Sequence, residues 1–528
     1  MLFLIEEAYG ELPAAPRPWW RRLLGGRTRI SQHELRERFR QVAADRRTTG
    51  VILHLRPIEM SQAQVQGYRD LIADLRVAGK RVVSFAPAYT TATYHVACAC
   101  DEVLLMRGGS LTALGYVRTY MFLADALERF GLQADVLQIT PYKTALDFIS
   151  RRSMSEQARE MATWLADAAF SELLADVGAG RHLGPGESRA LVAGTPATDE
   201  QALSLQAVDG VLYEEELSVR LGGQIMAWSA ARRRLPRPAP SRPGRYLGLL
   251  RIEGAIVDGR SARPPVEPPL PVPLLLQKRS GDLTIAQQAR RLAEDRRVAA
   301  VVLWVDSGGG SSTASEAMSS ALSALAARKP MVAVMGSVAA SGGYHVVTSA
   351  RRVFAQPGTI TGSIGVLAGK VTLGGLLDRL LVQREQVVRG EHAAMFGLDA
   401  PFSEEERARL RELIEHTYEQ FIDRVAKARG LPPDQLEAIA GGRVWTGRQA
   451  LERGLVDELG GLERAIEYAR SLAGLSESAP LREARSASDQ APAGDAPPTS
   501  LAYALEAAQS LNRSAAWLLC PLVFSQWS

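Results

Sequence analysis

The chain has 528 residues, of which 46% are hydrophobic and 23% charged, so it is long enough for two or three globular domains with cores of their own. Its 62 basic and 58 acidic residues leave a formal net charge of only +4, which disfavours nucleic acid as a partner. Cys98, Cys100 and Cys520 have neither disulfide nor metal-ligand spacing, so we expect no redox chemistry and no metal site.

The N-terminal segment, residues 1–47, begins with a short apolar stretch that Glu6 and Glu7 interrupt. It lacks the long apolar run of a membrane-spanning helix. It also lacks the ordered charge, apolar core and cleavage site of a signal peptide. The sequence therefore predicts an N-terminal segment without a clear membrane anchor.

Residues 48–230 alternate short β-branched runs with amphipathic helical stretches. The pattern predicts a strand at 51–55, a helix over 62–78 and a second strand starting at 81. A strand, a crossover helix and a strand form a right-handed parallel unit, so we interpret this region as a first α/β domain. Lys143 follows within the apolar and aromatic segment ITPYKTALDF.

A linker rich in proline and arginine, 231–246, leads to a second region of the same kind, 247–475. There AVVLWV at 300–305, a helix over 315–327 and MVAVM at 331–335 repeat the strand, helix and strand. The fold class predicted is α/β, a tandem repeat of two domains with parallel sheets and flanking helices.

The remaining segments differ in composition from the two domains. The proline-rich stretch 263–273 is expected to be an exposed loop, and 476–500 a disordered linker. Residues 501–528 form an apolar tail in which no run is long enough to span a membrane. Two alternatives stay open for this tail: a helix docked on its own domain or a neighbouring subunit, or contact with a membrane interface.

The two domains are copies of one sequence at an offset of 250 residues, which aligns Tyr-His at 94–95 with Tyr-His at 344–345. In this register Thr91 of the first copy lies opposite Ser341 of the second, and only Ser341 is followed by Gly-Gly. Repetition indicates two copies of one fold, so the difference marks a candidate site in the second copy.

Two glycine-rich segments of the second copy, 306–310 and 336–343, follow predicted strands. Chemistry in an open α/β sheet gathers at the carboxyl ends of the strands, and glycine lets backbone N–H groups approach a ligand. We expect N–H groups of Gly309 or Gly310 and of Gly342 to form an oxyanion hole. Tight turns or a phosphate-binding loop are the alternatives, although the spacing G-x-x-x-x-G-K-S/T is absent.

A serine nucleophile needs a base. His345 follows the serine by four residues, but His95 occupies the same place in the copy without the serine. The chain has only six lysines, and lysine can act as a base once burial lowers its pKa. Lys143, whose counterpart is Ala393, lies among apolar neighbours, and Lys370 competes with it as the base. The first copy thus has the lysine without the serine, and the second has the serine without the lysine. This pattern predicts one composite Ser–Lys site for each pair of copies.

Five motifs of the chain resemble those of the signal peptide peptidase A (protease IV) family in its long, two-repeat form. They are PYKTALDF, WVDSGGGSSTASE, MGSVAASGGYHV, AQPGTITGSIGV and GGRVWTGRQALERGLVDELG, and the resemblance covers roughly residues 48–475. It implies a fold related to the Clp protease and crotonase superfamily, a serine–lysine dyad, a homotetramer, and degradation of cleaved signal peptides at the cell membrane. By motif position, Ser341 would be the nucleophile and Lys143 the general base.

We interpret the chain as a serine endopeptidase that cleaves signal peptide remnants or other short apolar peptides. We expect Ser363 to shape the site and Asp306 to fix the glycine loop, and we expect neither a metal nor an organic cofactor. Attachment to the membrane is expected to be peripheral, with a cytoplasmic location as the alternative.

Three features depart from the family pattern. Gly308 replaces the usual proline of Ser-Pro-Gly-Gly, His345 replaces the aromatic residue that usually follows Ser-Gly-Gly-Tyr, and the usual N-terminal anchor helix is missing. Two other functions therefore stay open: a catalytically silent oligomer that only binds peptides, and a crotonase-like acyl-CoA enzyme. The second would leave Ser341 and Lys143 without a role.

Overall fold

A computed structural model describes residues 2–5, 31–235, 244–263, 277–484, 517–519 and 526–527. The chain divides into two compact units that alternate along the sequence. The first unit takes Met1–Val117, Ala166–Pro240 and Trp527–Ser528, and the second takes Arg118–Leu165 and Ser241–Gln526. Residues 118–165, which precede the linker and include Lys143, therefore cluster with the second copy.

Strands and helices alternate along the described residues. The strands are β1 (Leu2–Ile5), β2 (Gly50–His54), β3 (Arg81–Thr90), β4 (Glu102–Thr112), β5 (Arg118–Thr119), β6 (Gln133–Gln138), β7 (Ala197–Thr198), β8 (Gly210–Leu212), β9 (Ile225–Ala227), β10 (Tyr246–Val257), β11 (Arg279–Gly281), β12 (Val298–Ser311), β13 (Met331–Ala340), β14 (Arg352–Ala355), β15 (Ile360–Gly362), β16 (Leu367–Thr372), β17 (Val444–Thr446), β18 (Glu458–Leu459), β19 (Leu481–Glu483), β20 (Trp517–Leu519) and β21 (Gln526–Trp527). The helices are α1 (Gln32–Ala44), α2 (Gln62–Val77), α3 (Thr91–Ala97), α4 (Ala124–Arg129), α5 (Asp147–Ser150), α6 (Glu156–Arg181), α7 (Pro185–Ala193), α8 (Asp199–Ser204), α9 (Leu217–Arg220), α10 (Trp228–Ala231), α11 (Asp282–Glu294), α12 (Ser312–Ala326), α13 (Gly342–Val347), α14 (Gly374–Arg379), α15 (Glu404–Arg429), α16 (Pro433–Ile439), α17 (Gly447–Glu452) and α18 (Leu462–Leu472).

Each unit is built on a sheet whose central strands are parallel. In the first unit the order is β7-β4-β3-β2-β1-β9, with β8 beside β4. In the second unit β10, β12, β13 and β14 are parallel neighbours, and the order β12-β20-β16-β6 extends the sheet through antiparallel pairs. Helices flank both sheets, so the predicted α/β class with two parallel-sheet domains is confirmed.

Capping residues explain where two of the predicted helices begin. The hydroxyl of Ser61 accepts the N–H of Gln64 at 3.2 Å, and the Gln64 side chain bonds back to the backbone of Ser61, so α2 begins one residue after the cap. The second helix, expected from 315, begins at Ser312 because the hydroxyl of Ser311 accepts the N–H of Ala314 at 3.2 Å.

The prediction that the second-copy strands end before their glycine-rich segments is wrong. β12 continues to Ser311, and β13 continues to Ala340. The register of β12 shifts between Val305 and Ser307 against β13, so the glycine segment is an irregular continuation of the strand. A Cβ atom on Gly310 would lie 2.0 Å from the carbonyl oxygen of Ile256, so only glycine allows the neighbouring strand to approach this closely.

Two predictions for the C-terminal segments also need correction. The expected disorder of 476–500 does not hold for β19, which pairs in parallel with β10. One alternative for the C-terminal tail was a docked helix, but the tail contains the strand β20. Most of the expected loop 263–273 and half of the linker 231–246 lie outside the described residues. Within the part of the chain that the structure describes, no helix is long and apolar enough to cross a membrane.

Candidate active site

Ser341 occupies a one-residue turn between β13 and α13. Its backbone has φ 55° and ψ −115°, a conformation that residues other than glycine rarely adopt. The N–H of Ser341 donates to the carbonyl of Gly362 at 2.8 Å, and its carbonyl accepts the N–H of His345 at 2.8 Å. These two bonds hold the strained turn, which is typical of functional sites.

The two glycines after Ser341 are required by close packing. A Cβ on Gly342 would lie 2.6 Å from the hydroxyl oxygen of Ser315 and 3.1 Å from Cα of Gly309. A Cβ on Gly343 would lie 2.3 Å from the carbonyl oxygen of Ser307. The serine turn therefore packs directly against the glycine segment of β12.

The first copy lacks this geometry at the matched position. Thr91 is the first residue of α3, and Thr90, in an extended conformation with φ −88°, is the N-cap. The hydroxyl of Thr91 donates to the carbonyl of Gly115 at 3.1 Å. A β-branched residue tolerates positive φ poorly, so threonine at this place fits an ordinary helix start.

Lys143 is fully buried, and its Nζ atom lies 2.6 Å from Oγ of Ser341. The same Nζ atom lies 2.7 Å from the carbonyl oxygen and 3.1 Å from Oγ of Ser363. Ser363, itself at φ 52°, is fixed by its N–H, which donates to the carbonyl of Arg443 at 2.6 Å. The structure thus brings together Ser341, Lys143 and Ser363 from the predicted set.

Strand β6 positions Lys143 beside Ser341. It pairs with β16 over six residues, from Gln133 opposite Thr372 to Gln138 opposite Leu367. The chain then turns, and the hydroxyl of Thr140 donates to the carbonyl of Gly441. The sheet pairing and this turn explain how a residue that precedes the linker reaches the second copy.

The other two candidate bases lie in different surroundings. Nδ1 of His345 is 2.9 Å from Oγ of Ser319, and Nε2 is 3.3 Å from the carboxylate of Glu316. Burial lowers the pKa of His345, which favours the neutral ring. Nζ of Lys370 donates to the carbonyl of Met395 at 2.7 Å. The side chains of His345 and Lys370 are thus engaged in contacts with residues other than Ser341.

The expected oxyanion glycines lie beside the serine, although one of their N–H groups is engaged. The N–H of Gly309 donates to Oγ of Ser307 at 3.1 Å, and this hydroxyl donates to the carbonyl of Gly254 at 2.6 Å. Ser307 therefore connects the glycine segment to β10. Gly310 and Gly342, the other expected oxyanion glycines, are buried.

Asp306 precedes this segment and contacts β13. Its Oδ1 atom accepts the N–H of Val338 at 3.0 Å. Burial raises the pKa of Asp306 to about 6, against the lowering effect of this hydrogen bond. The contact joins two strands that carry the site, and no contact joins Asp306 to the serine hydroxyl among the interactions that the structure describes.

Sequence reasoning did not identify a glycine pair that supports Lys143. A Cβ on Gly442, which has φ 87°, would lie 2.6 Å from the backbone nitrogen of Lys143, and a Cβ on Gly365 would lie 3.3 Å from its Cδ atom. The motif GGRVWTG contains Gly442, so the glycine signal was visible, but nothing in the motif connects it with a lysine 299 residues earlier.

An apolar pocket adjoins the dyad. Thr144 and Ala145, which follow Lys143, form part of its wall together with aromatic and aliphatic side chains. Met161 and Leu165 of the wall belong to a cluster that packs against Ala340, the residue before Ser341. The lining includes one carboxyl group, that of Asp147, whose pKa burial raises to about 6.

One group of side chains in the described part of the chain has the spacing of a metal site. Ligand atoms of Glu391, His392 and Glu405 lie within 4.8 Å of one another. Exposed acidic groups often lie together without an ion, and these are not among the residues around Ser341, so we assign them no function.

Comparison with known proteins places the chain in a family. Residues 74–223 and 323–476 match the family described as Peptidase family S49. The chain is 30% identical to "Serine protease SPPA, chloroplastic" of Arabidopsis thaliana over 84% of this chain and 66% of that protein. It is 30% identical to "Protease 4" of Salmonella typhi over 83% of this chain and 71% of that protein. The match therefore extends over both copies, and the chain belongs to peptidase family S49, a family of serine peptidases, in its two-repeat form.

Proposed function

We propose that this chain is a serine endopeptidase in which Ser341 is the nucleophile and Lys143 the general base. The observation that carries the proposal is the distance of 2.6 Å between Lys143 Nζ and Ser341 Oγ, with both residues fully buried. A neutral amine has two N–H donors and one lone pair. Donation to the two oxygen atoms of Ser363 would leave the lone pair to accept the proton of the serine hydroxyl.

The reaction follows from this arrangement. Oγ of Ser341 attacks the carbonyl carbon of a peptide bond while Lys143 takes the hydroxyl proton. N–H groups of Gly342 and Gly310 stabilise the negative oxygen of the tetrahedral intermediate, because the N–H of Gly309 already donates to Oγ of Ser307. The C–N bond breaks, and Lys143 returns the proton to the leaving amine. Water then hydrolyses the acyl-enzyme, with Lys143 again acting as the base.

The substrate class that we propose is short apolar peptides, including the remnants of cleaved signal peptides. The apolar pocket beside the dyad supports this choice, because Phe148, Met154 and Met161 in its wall favour aliphatic and aromatic side chains. A relative from Enterococcus faecium named "Putative signal peptide peptidase SppA" is 33% identical over 34% of this chain and 53% of that protein.

Labelling with a serine-directed phosphonate tests the nucleophile. Ser341→Ala is expected to abolish both labelling and peptidase activity, whereas the matched Thr91→Ala retains both. A silent peptide-binding oligomer or a crotonase-like acyl-CoA enzyme would leave the original chain unlabelled. Equal loss of activity in both variants would contradict the assignment of Ser341.

A mixing experiment tests whether the dyad forms within one chain, as we propose. Lys143 and Ser341 of a single chain are in contact, so a mixture of Ser341→Ala chains and Lys143→Ala chains is expected to stay inactive after subunit exchange. Recovery of activity in the mixture would show that the two residues come from different chains.

We further propose that the protein is a homotetramer. Support comes from the second-copy counterpart of β6, offset by 250 residues, which forms no strand in this chain. Leu137 in β6 is 6% exposed, but its counterpart Val387 is 86% exposed, and the neighbouring Leu381 is 83% exposed. Pairing with the first copy of another chain would bury these side chains, as pairing with β16 buries Leu137.

Light scattering on the purified protein tests this association. Val387→Asp is expected to reduce the particle mass, because a charge would be buried in the contact. The matched control is Val77→Asp, since Val77 is 90% exposed at the end of α2. An unchanged mass for Val387→Asp would exclude this surface.

Association with a membrane surface remains a further proposal, since signal peptide remnants arise there. Flotation of the protein with anionic lipid vesicles tests it, and failure to float would favour the cytoplasmic alternative.

A further inference from the structure

Among the described residues that line the apolar pocket, Asp147 is the only one with a charged side chain. It is the first residue of α5, four residues after Lys143, and it is 7% exposed. The other lining residues are apolar or aromatic, apart from Thr144. In such a pocket a single polar group determines which ligands bind and how they are oriented.

The contacts that Asp147 makes within the chain compensate its charge only in part. Its Oδ2 atom accepts the hydroxyl of Ser155 at 3.3 Å and lies 3.9 Å from Nε of Arg151. The side chain of Arg151 is half exposed, so water screens this contact. No hydrogen-bond donor of the described part of the chain contacts Oδ1, which therefore keeps its capacity to accept one.

We propose that Asp147 makes this pocket select a substrate side chain with an apolar stem and a cationic end, that of lysine or arginine, over an apolar side chain of the same length. The methylene groups of the stem pack against wall residues such as Phe148 and Met161, and the positive charge compensates the buried carboxylate. This inference rests on the proposed peptidase function and narrows its substrate class. Signal peptide remnants satisfy it, because a signal peptide has a positively charged region before its apolar core.

The preference is expected to depend on pH, because only the ionised carboxyl attracts a cation. Burial raises the pKa of Asp147 to about 6, so in the empty pocket the carboxyl is mostly neutral at pH 5 and ionised at pH 8. The other charged groups of the segments that form the pocket are Arg118, Arg151, Arg152, Glu156, Arg159 and Glu160. Of these, Arg151 contacts the carboxylate, and it keeps its proton throughout this range.

Paired peptide substrates test the preference. One set of alanine- and leucine-based hexapeptides carries lysine at each position in turn, and a second set carries norleucine, which is lysine without the ammonium group. At the position that enters the pocket, kcat/KM is expected to be about 10-fold higher for lysine at pH 8, the factor that corresponds to one hydrogen bond to a charged group. At pH 5 the two values are expected to be equal. Because both substrates meet the same enzyme, ionisation of Lys143 cancels in their ratio.

Substitution of the carboxyl group tests the assignment to Asp147. Asp147→Asn is expected to lower the ratio at pH 8 by about 10-fold, to equal values for lysine and norleucine. Glu160→Gln is the matched control, because it removes the same charge from an exposed residue that accepts the hydroxyl of Tyr142, next to Lys143, and lies outside the pocket wall. It is expected to keep the ratio of the original chain.

Three results would overturn the inference. They are a lysine preference that persists in Asp147→Asn, a ratio that is constant from pH 5 to pH 8, and the absence of any lysine preference at every position in the original chain. The last result would do so even if cleavage of the norleucine peptides upholds the peptidase.

Binding to the Ser341→Ala chain provides a readout that does not depend on hydrolysis. In isothermal titration calorimetry at pH 8, Kd is expected to be about 10-fold lower for the lysine peptide than for its norleucine partner, and equal for the two once Asp147→Asn is added. Equal binding of both peptides at every position would reject the role of Asp147. Tighter binding of the lysine peptide, together with an original chain that resists phosphonate labelling, would retain this role and reject the peptidase.

Discussion

The environment of Lys143 is the reason that we propose this residue as the base. It is fully buried, and Ser341 and both oxygen atoms of Ser363 surround its Nζ atom. His345 and Lys370 have other partners, Glu316 and the carbonyl of Met395. The histidine is a structural feature of the fold, because His95 forms the same kind of contact in the first copy, with Asp176 at 2.6 Å.

Substitution of Lys143 separates a base from a simple positive charge. Lys143→Arg is expected to be as inactive as Lys143→Ala, with a loss of at least about 100-fold in kcat, because arginine keeps its proton. Lys370→Ala and His345→Ala are expected to retain substantial activity. Steady-state kinetics on a fluorogenic apolar peptide measures these effects, and an active Lys143→Arg enzyme would remove Lys143 from the mechanism.

Gly442 is expected to hold Lys143 in place. A methyl group in Gly442→Ala would meet the backbone of Lys143, so we expect kcat to fall by about 10- to 100-fold through misplacement of the amine. Gly430→Ala is the matched control, because Gly430 also has positive φ, at 64°, but no atom within 4 Å of the added Cβ. In urea unfolding Gly430→Ala is expected to lose about 1 kcal/mol and Gly442→Ala more, because only the Cβ added at Gly442 meets backbone atoms, so kcat is compared at equal amounts of folded enzyme. Similar kcat values for the two would show that contact with Lys143 is unimportant.

Sequence alone identified the side chains of the candidate site better than its backbone groups. Ser341 was visible because the first copy provides an internal reference with Thr91 at the same place. The carbonyl of Ser363 and the close approach of Gly442 were not visible, since every residue has a backbone and its position depends on tertiary packing. These contacts can be recognised only in the three-dimensional structure.

At the scale of elements, the pairing of β6 with β16 determines where the lysine lies. A Cβ on Gly369 of β16 would lie 2.8 Å from the carbonyl oxygen of Asp135 in β6, which is backbone and cannot move alone. The whole strand would have to shift, and the segment that carries Lys143 would shift with it.

Gly369→Ala is therefore expected to lower both kcat and the rate of phosphonate labelling by about 10-fold. The matched control is Gly248→Ala in β10, where the added Cβ meets the end of the flexible Leu292 side chain, also at 2.8 Å, and makes an ordinary contact with Cγ1 of Val298 at 3.4 Å. The time course of phosphonate labelling, measured for each variant, gives the two labelling rates. Equal labelling rates would mean that β6 adapts without moving Lys143.

The element boundaries that the sequence missed have physical causes. The glycine segment of β12 was interpreted as a loop because glycine disfavours strands, yet the neighbouring β10 holds it in the sheet. The run AAWLL is compatible with a helix or a strand, so β20 could not be distinguished by pattern. Helix α2, with its capping box and regular periodicity, was predicted to within one residue.

At the scale of the whole molecule, the buried carboxyl of Asp306 couples stability to pH. Burial raises its pKa in the folded protein to about 6 from the ordinary value of 3.8. Between these values the folded state binds a proton that the unfolded state has released, so the free energy of unfolding falls as pH rises through this window. Above about pH 6 the carboxylate is ionised in both states, and its burial destabilises the folded state by the full amount.

Asp306→Asn removes the buried negative charge and the destabilisation that it causes. It keeps an oxygen that can accept the N–H of Val338. Relative to the original chain, the variant is expected to gain about 1–3 kcal/mol at pH 8 and almost nothing at pH 4. Urea unfolding across this range measures the difference. The exposed Asp167→Asn is the control, and a gain that is constant with pH would show that Asp306 does not titrate in this window.

The separation of the dyad along the chain also sets the order of events during synthesis. Lys143 and Ser341 are 198 residues apart, and the bond from Thr372 in β16 to Gln133 in β6 spans 239 residues. Contacts between such distant residues form late, because a long loop must close before they contribute any stability. The lysine segment leaves the ribosome well before its partner strand exists. A nascent chain therefore lacks the contact between Lys143 and Ser341, and the candidate site is completed only when most of the polypeptide has been made.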